Sequence, residues 1–315
     1  MPHIYRPVGN GVFAVDTLHV RPRLDASYLI RDSGRAAFVD TGTDRSVPYL
    51  LRALAELGQD AAQVDYILLT HVHLDHAGGA GRLAALLPQA RILVHPRGAA
   101  HLIDPSKLIG ATQAVYGASR FEEQYGGIVP IAPDRVGVVE DGERIRLGRR
   151  TLEFVYTPGH ALHHVCILDR DTREMFTGDT FGVSYRELDT AAGEFIFPTT
   201  SPAQFDPGQL HASITRIAGL KPACAYLTHF GRVGGIDRLA ADLHADVDAF
   251  VRIARVLPKS AERVRAMEPR LFEHLSKRLD AHGYPGDEPA RHAILDGDVW
   301  LNATGLEAWL AREGA

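Results

Sequence analysis

The sequence predicts an α/β fold, and three observations carry that expectation. Short apolar runs alternate with amphipathic helical patterns through the first 235 of the 315 residues. Polar residues recur where those apolar runs end, which is where α/β architectures place ligands. Beyond residue 235 apolar positions recur only at steps of three and four. Residues 1–235 therefore read as one α/β domain, and 236–315 as a C-terminal helical extension.

The elements follow in order. Residues 11–15, 26–30 and 36–39 are strand-like runs, the last two joined by Asp32-Ser33-Gly34, a turn sequence. Over 46–57, Val47, Leu50, Leu51, Leu54 and Leu57 share one helical face, and Gly58 stops it. A strand over 64–69 leads through a polar loop to a helix over 79–87, stopped at Pro88, and 92–94 is a further strand. Residues 98–140 carry weaker periodicity and read as helices with a long loop. Strands follow at 152–156, 165–168 and 175–177, then a helix at 207–217 and a strand at 223–227. In the extension, Ile236, Leu239, Leu243, Val247, Phe250, Ala254 and Leu257 define a helix ended by Pro258. A second helix spans 263–279 and a short third 304–312. Three roles fit this appendage: covering a site, forming a homodimer interface, or completing the core.

The first part of the chain contains an internal echo. Ile67-Leu68-Leu69-Thr70-His71 and Ala225-Tyr226-Leu227-Thr228-His229 are both apolar runs ending in Thr-His. Phe38-Val39-Asp40-Thr41-Gly42 and Met175-Phe176-Thr177-Gly178-Asp179 both end with Asp beside Gly. Two similar halves sharing one site would produce this pattern.

Composition narrows the function classes. With 45% hydrophobic and 23% charged residues the profile is that of a soluble globular protein. The net charge of -5 and the lack of a Lys/Arg run argue against a nucleic-acid partner. No apolar stretch approaches the roughly 20 residues of a membrane helix. The N-terminal residues show no secretory pattern, so a cytoplasmic location is expected. Two cysteines cannot build a disulfide framework, whereas sixteen histidines point to metal ligation through nitrogen and oxygen.

The key string is Thr70-His71-Val72-His73-Leu74-Asp75-His76-Ala77-Gly78-Gly79. At this composition His-x-His-x-Asp-His arises by chance in roughly 0.002 of such chains, so coincidence is a poor explanation. His71 and His73, two apart in extended backbone, point the same way and can chelate one ion. Asp75 and His76 diverge, which suits a second ion nearby. Gly78 and Gly79 allow a tight turn before the next helix. His160, Asp179 and His229 each follow a strand end and would complete the ligand supply.

With these motifs in order, the chain resembles the metallo-β-lactamase superfamily over roughly residues 10–232. Phrases such as His95-Pro96-Arg97-Gly98, the stretch from Thr157-Pro158-Gly159-His160 to His163-His164, and Tyr226-Leu227-Thr228-His229-Phe230-Gly231 look like a prokaryotic branch of it. The resemblance implies a four-layer αβ/βα sandwich with the site at one edge. It implies that His71, His73 and His160 bind a first metal and Asp75, His76 and His229 a second, with Asp179 bridging. The implied cofactor is a pair of divalent ions, zinc before iron or manganese. True β-lactamases of this fold lack the bridging aspartate and many use a cysteine, but here Asp179 is present and Cys166 and Cys224 read as core. The flavodiiron reductases carry Glu where this chain has His73. The full set is that of dinuclear hydrolases such as glyoxalase II, the quorum-quenching lactonases and phosphodiesterases.

The expected activity is metal-dependent hydrolysis of a small ester, lactone or thioester by a metal-bridging hydroxide, with Asp75 orienting the nucleophile or moving its proton. The alternatives are a single-iron oxygenase resembling persulfide dioxygenase, a phosphodiesterase, and a metal-bound sensor without catalysis. Outside the ligand set, Asp40 is a candidate to hold a ligand histidine, against a plain turn role. His163 and His164 are candidates to face the pocket, with a structural role weighed higher. Tyr185 is a candidate oxyanion donor, against packing. The Phe195-Ile196-Phe197-Pro198 loop either lines a pocket or belongs to the core. His3, His19, His101, His211, His244, His274, His282 and His292 are scattered, and most read as solvated surface.

Overall fold

The computed structural model describes residues 4–200, 202 and 204–314, so His3 lies outside the described residues. The chain begins with β1 (Tyr5–Gly9) and β2 (Val12–Asp16), an antiparallel pair, followed by β3 (Ala26–Asp32) and β4 (Arg35–Val39). Ser33 and Gly34 join the last two with φ of 50° and 76°, the left-handed geometry that a two-residue hairpin demands. Next come α1 (Val47–Glu56), β5 (Val64–Leu68), α2 (Leu74–Ala77), α3 (Ala80–Leu86) and β6 (Arg91–Val94). The stretch with weak periodicity resolves into α4 (Pro96–Ile103), α5 (Ser106–Tyr116), α6 (Ala118–Tyr125) and β7 (Val136–Val138).

These seven strands form one sheet in the order β1-β2-β3-β4-β5-β6-β7, antiparallel up to β4 and parallel from β4 onward. Its core joins Phe38, Ile67 and Ile92 of the strands to Val47, Leu50 and Leu54 of α1 and Leu83 of α3. Each such side chain contributes about 1.5–3 kcal/mol by leaving water, so the 46–57 and 79–87 helical faces are held by the sheet they cover.

A second sheet contains β8 (Arg144–Leu147), β9 (Arg150–Tyr156), β10 (Val165–Asp169) and β11 (Glu174–Gly178). After α7 (Pro207–Gly219) come β12 (Cys224–Leu227) and β13 (Gly231–Val233), giving the order β13-β12-β11-β10-β9-β8. The internal echo has a structural counterpart, since β4 pairs in parallel with β5 and β11 in parallel with β12. Cys166 and Cys224 are fully buried free thiols in this sheet. β1 and β8 were not expected from the sequence. Both are edge strands with little buried, no residue of β1 and only Leu147 of β8, so neither shows an apolar run.

The helical extension holds α8 (Ile236–Arg255), α9 (Arg263–His282) and α10 (Glu288–Glu313). The last begins sixteen residues before the expected start at 304. The Asp287 carboxylate caps it by accepting from Ala290 N at 3.0 Å. By its internal packing the chain divides into two units that interleave along the sequence. The first takes the described residues through Tyr156, His163–Gly178 and Pro222–Arg232, and thus the two sheets with α1–α6. The second takes Thr157–Leu162, Asp179–Lys221 and the residues from Val233 on, and thus α7–α10. No helix among the described residues is long and apolar enough to cross a membrane.

Candidate metal centre

In the first unit, β4 and β5 run parallel, and the chain emerging from β5 carries the His-x-His-x-Asp-His string. Asp40 follows β4 directly and sits in left-handed backbone (φ 55°), which Asp tolerates better than most side chains. Fully buried, it organises what surrounds it. Its Oδ1 accepts from Thr70 N at 2.8 Å, and its Oδ2 from Thr70 Oγ1 at 2.8 Å, Thr228 Oγ1 at 3.0 Å and His76 Nδ1 at 2.8 Å.

That network sets two tautomers. An ionised carboxylate only accepts, so His76 keeps its proton on Nδ1 and presents Nε2 as a lone pair. The Thr70 hydroxyl gives its proton to Asp40, so its oxygen accepts from His71 Nδ1 at 3.1 Å, leaving His71 Nε2 as a lone pair as well. His71 Nε2 lies 2.9 Å from His73 Nδ1. Two nitrogens that each bind one tetrahedral ion at about 2.0–2.1 Å are separated by roughly 3.3 Å, close to this spacing.

A second buried carboxylate stands against the ring of His229. Asp25 Oδ1 lies 2.7 Å from His229 Nδ1 and is fully buried. Sequence reading missed Asp25. It is a lone acid before β3, and only the hydrogen bond from Ala26 N to Thr228 O (2.8 Å) brings the two stretches together. Asp75 Oδ2 stands 3.7 Å from His76 Nε2 and 3.5 Å from His229 Nε2. The donor atoms of Asp75, His76 and His229 all lie within 4.8 Å of one another. One carboxylate oxygen and two imidazole lone pairs converging in this way are the nitrogen-and-oxygen set that a borderline divalent cation takes, so these residues fit a metal ion.

His163 and His164 belong to the first unit. The His163 ring lies parallel to His71 at 6.1 Å and edge-on to His73 at 5.7 Å, while His164 lies 5.0 Å from His71. Gly178 (φ 47°) ends β11 against this group. A Cβ there would meet His164 Nε2 at 2.6 Å and Thr70 Oγ1 at 2.8 Å, so only glycine permits the approach. Close to Asp75, Leu74 packs with Phe121 and Tyr125 of α6 and Tyr116 of α5. Burial, then the negative charge of Asp75, pushes the Tyr116 phenol up to about 12.

His160, Asp179 and Tyr185 lie in the second unit. His160 Nδ1 donates to Thr199 O at 3.1 Å, which leaves Nε2 as a lone pair 3.5 Å from Asp179 Oδ2. The Tyr185 hydroxyl donates to Asp298 Oδ1 of α10 at 3.1 Å, and its ring packs edge-on to Phe197. Phe195, Ile196 and Phe197 are buried. Among the scattered histidines, His19 is buried beside Tyr125 rather than solvated, because its ring packs 5.5 Å from that phenol ring.

A two-sheet α/β chain whose strand ends carry histidines backed by carboxylates defines a class of metal-binding folds. The family model described as "Metallo-beta-lactamase superfamily" matches residues 3–229, and the chain belongs to that superfamily. It is 33% identical over 175 residues to a metallo-beta-lactamase fold-containing protein of Sulfurisphaera tokodaii, covering 54% of this chain and 62% of that one. It is 30% identical over 186 residues to an acyl-coenzyme A thioesterase of Gallus gallus, covering 56% and 64%. The chain thus spans less than two thirds of the length of these relatives. The fold also matches a metallo-beta-lactamase family protein of Thermus thermophilus, with a TM-score of 0.67 at 22% identity over 98% of this chain and 96% of that one. This is the metallo-β-lactamase α/β sandwich, as the motifs implied.

Proposed function

We propose that the chain is a metal-dependent hydrolase holding two divalent ions, zinc first, and acting on a small ester, lactone or thioester. The observation that carries this reading is the convergence of Asp75, His76 and His229, two of them backed by the buried carboxylates Asp40 and Asp25. In the proposed assignment His71, His73 and His160 would hold one ion and Asp75, His76 and His229 the other, with Asp179 a ligand that both would share. A thioester substrate is favoured by two relatives whose names are acyl-coenzyme A thioesterase and, in Francisella tularensis, hydroxyacylglutathione hydrolase.

Bound at these residues, divalent ions would supply a water acidified toward neutrality and polarisation of the substrate carbonyl. The chain's residues do the rest. Asp40 fixes His76 and, through the Thr70 hydroxyl, His71; Asp25 fixes His229; the Thr199 carbonyl fixes His160. The rings of His76, His71 and His160 are held in the one tautomer that offers Nε2. Asp75, a quarter exposed at its side chain where His76 is wholly buried, is the group that solvent and substrate reach. It would orient the attacking water and take its proton on a carboxylate oxygen.

Elemental analysis of purified protein, followed by turnover assays on thioester, lactone, ester and phosphodiester panels, tests the reading. Two zinc ions per chain with thioester, lactone or ester turnover support it. A single iron with oxygen consumption, or turnover confined to phosphodiesters, overturns it.

A further inference from the structure

A cavity of about 580 Å³ opens in the first unit between residues 17–20, the turn before α1, and α6. That volume is in the range of small-molecule sites. Asp16, at the end of β2, holds the loop that walls it. Its Oδ1 accepts from Leu18 N at 3.0 Å and its Oδ2 from Arg23 N at 2.9 Å. Between these bonds Leu18 and Val20 stand in left-handed backbone, with φ of 53° and 56°. This conformation is costly for a β-branched residue, and such strain collects at ligand clamps. The core gives nothing in return, because Val20 is 66% exposed and Leu18 38%, both at the cavity.

Two opposite charges line the same cavity without pairing. Arg45 is held in place by α6 and the glycine after it. Its Nη2 donates to Glu122 O at 2.9 Å, and its stem lies against Gly126, where an added Cβ would meet Arg45 Cγ at 3.4 Å. Neighbouring charges do pair, Arg82 with Asp44 at 3.0 Å and Arg52 with Glu56 at 2.6 Å. Among the described residues neither Arg45 nor Glu123 forms an ion pair. A guanidinium held this way keeps donors for a carboxylate, and a carboxylate such as Glu123 suits an ammonium. The cavity also neighbours the metal centre. The His19 ring packs 5.5 Å from Tyr125, which packs with Leu74 beside Asp75. Thr17 N donates to Asp25 O at 3.0 Å, and Asp25 stands against His229.

We propose that this cavity binds an α-amino-acid end, ammonium with carboxylate, carried on an apolar arm. Arg45 takes the carboxylate, Glu123 the ammonium, and Leu18 and Val20 cover the arm. Its use in catalysis rests on the hydrolase reading, in which the cavity would select thioesters or esters that bear such an end. The binding itself does not depend on that reading.

Titration calorimetry of the full-length, metal-loaded protein with S-hexyl-L-cysteine tests the site. Masking the ammonium, as in the N-acetyl derivative, should weaken binding to the wild type about threefold to fivefold and cost nothing in Glu123→Gln. Masking the carboxylate as the methyl ester should weaken wild-type binding similarly and cost nothing in Arg45→Met. Val20→Gly removes apolar contact while relieving the left-handed backbone. It should weaken S-hexyl-L-cysteine and leave S-methyl-L-cysteine unchanged. A general loss of fold cannot imitate these pairings of ligand with variant. Absence of saturable binding overturns the proposal. So does binding that is equal in wild type, Arg45→Met and Glu123→Gln, as chelation at the metal residues would give. A protein that binds these probes as expected but hydrolyses no ester, lactone or thioester overturns the hydrolase reading alone.

Discussion

Asp25 and Asp40 are the residues through which buried charge becomes ligand geometry. Neither faces solvent, and each holds the far nitrogen of an imidazole. Replacing Asp25 by Ala frees the His229 ring to rotate and change tautomer, and should weaken metal binding about 10–100-fold. Asp40→Ala should do that and also destabilise the fold by about 3 kcal/mol, since it leaves Thr70 N, the Thr70 and Thr228 hydroxyls and His76 Nδ1 without their acceptor. Chelator competition and denaturant unfolding of the metal-free proteins separate the two effects. Equal metal affinity in Asp25→Ala and wild type would contradict the role given to Asp25. At alkaline pH the relevant residue is Tyr116. Its phenol is raised to about 12 from an ordinary 10, so its contribution to stability is intact below pH 10 and lost as pH rises toward 12. Tyr116→Phe should therefore flatten the fall in unfolding free energy between pH 10 and 12. The His-x-His-x-Asp-His string was legible in the sequence because its members lie within six consecutive residues. Asp25 was not, because only the long-range pairing of Ala26 with Thr228 gives it a purpose.

The third helix of the extension shows how tertiary contacts hide an element from periodicity. Up to its middle α10 carries Asp296, Gly297, Asp298 and Asn302, which dilute the apolar stripe, so only the last turns read as helix. Those polar residues have partners that local sequence cannot reveal. Asp298 accepts from Tyr185, and Asn302 Oδ1 accepts from Thr200 N at 2.7 Å while its carbonyl accepts from Thr200 Oγ1 at 2.9 Å. Gly305 lies one turn further along. By helix propensity alone, Gly305→Ala should stabilise by about 1 kcal/mol. A Cβ there would sit 2.2 Å from the Thr200 carbonyl oxygen, a backbone atom that cannot rotate aside. Overpacking of this kind costs about 1–3 kcal/mol, so the steric effect wins and the variant should unfold at lower denaturant. A midpoint equal to or above wild type would show that α10 moves away from Thr200 freely. The opposite case is α8, whose apolar positions are nearly all buried and whose span was read to within two residues.

At the scale of the whole chain, what was legible is the repeated plan and what was not is its division. β4 with β5 and β11 with β12 are parallel pairs, and each carries an Asp and a Thr-His at the exits that the sequence echo marked. A single boundary at 235 follows from the change in apolar periodicity, whereas packing interleaves the two units because short stretches such as Thr157–Leu162 leave one and return. Local composition cannot report such crossings. The converging donors also bear on global stability. The donor atoms of Asp75, His76 and His229 lie within 4.8 Å of one another, and the two imidazoles stand against the buried carboxylates of Asp40 and Asp25. An ion that binds only this folded arrangement stabilises it by about 2.7 kcal/mol at a hundredfold excess over its dissociation constant. Exhaustive chelation should therefore lower the thermal midpoint by several degrees while leaving the secondary structure at room temperature intact. Adding Zn2+ back should restore the midpoint along a saturating curve, and His76→Ala should blunt that recovery. A midpoint that ignores both chelator and added metal would mean that these residues hold no ion.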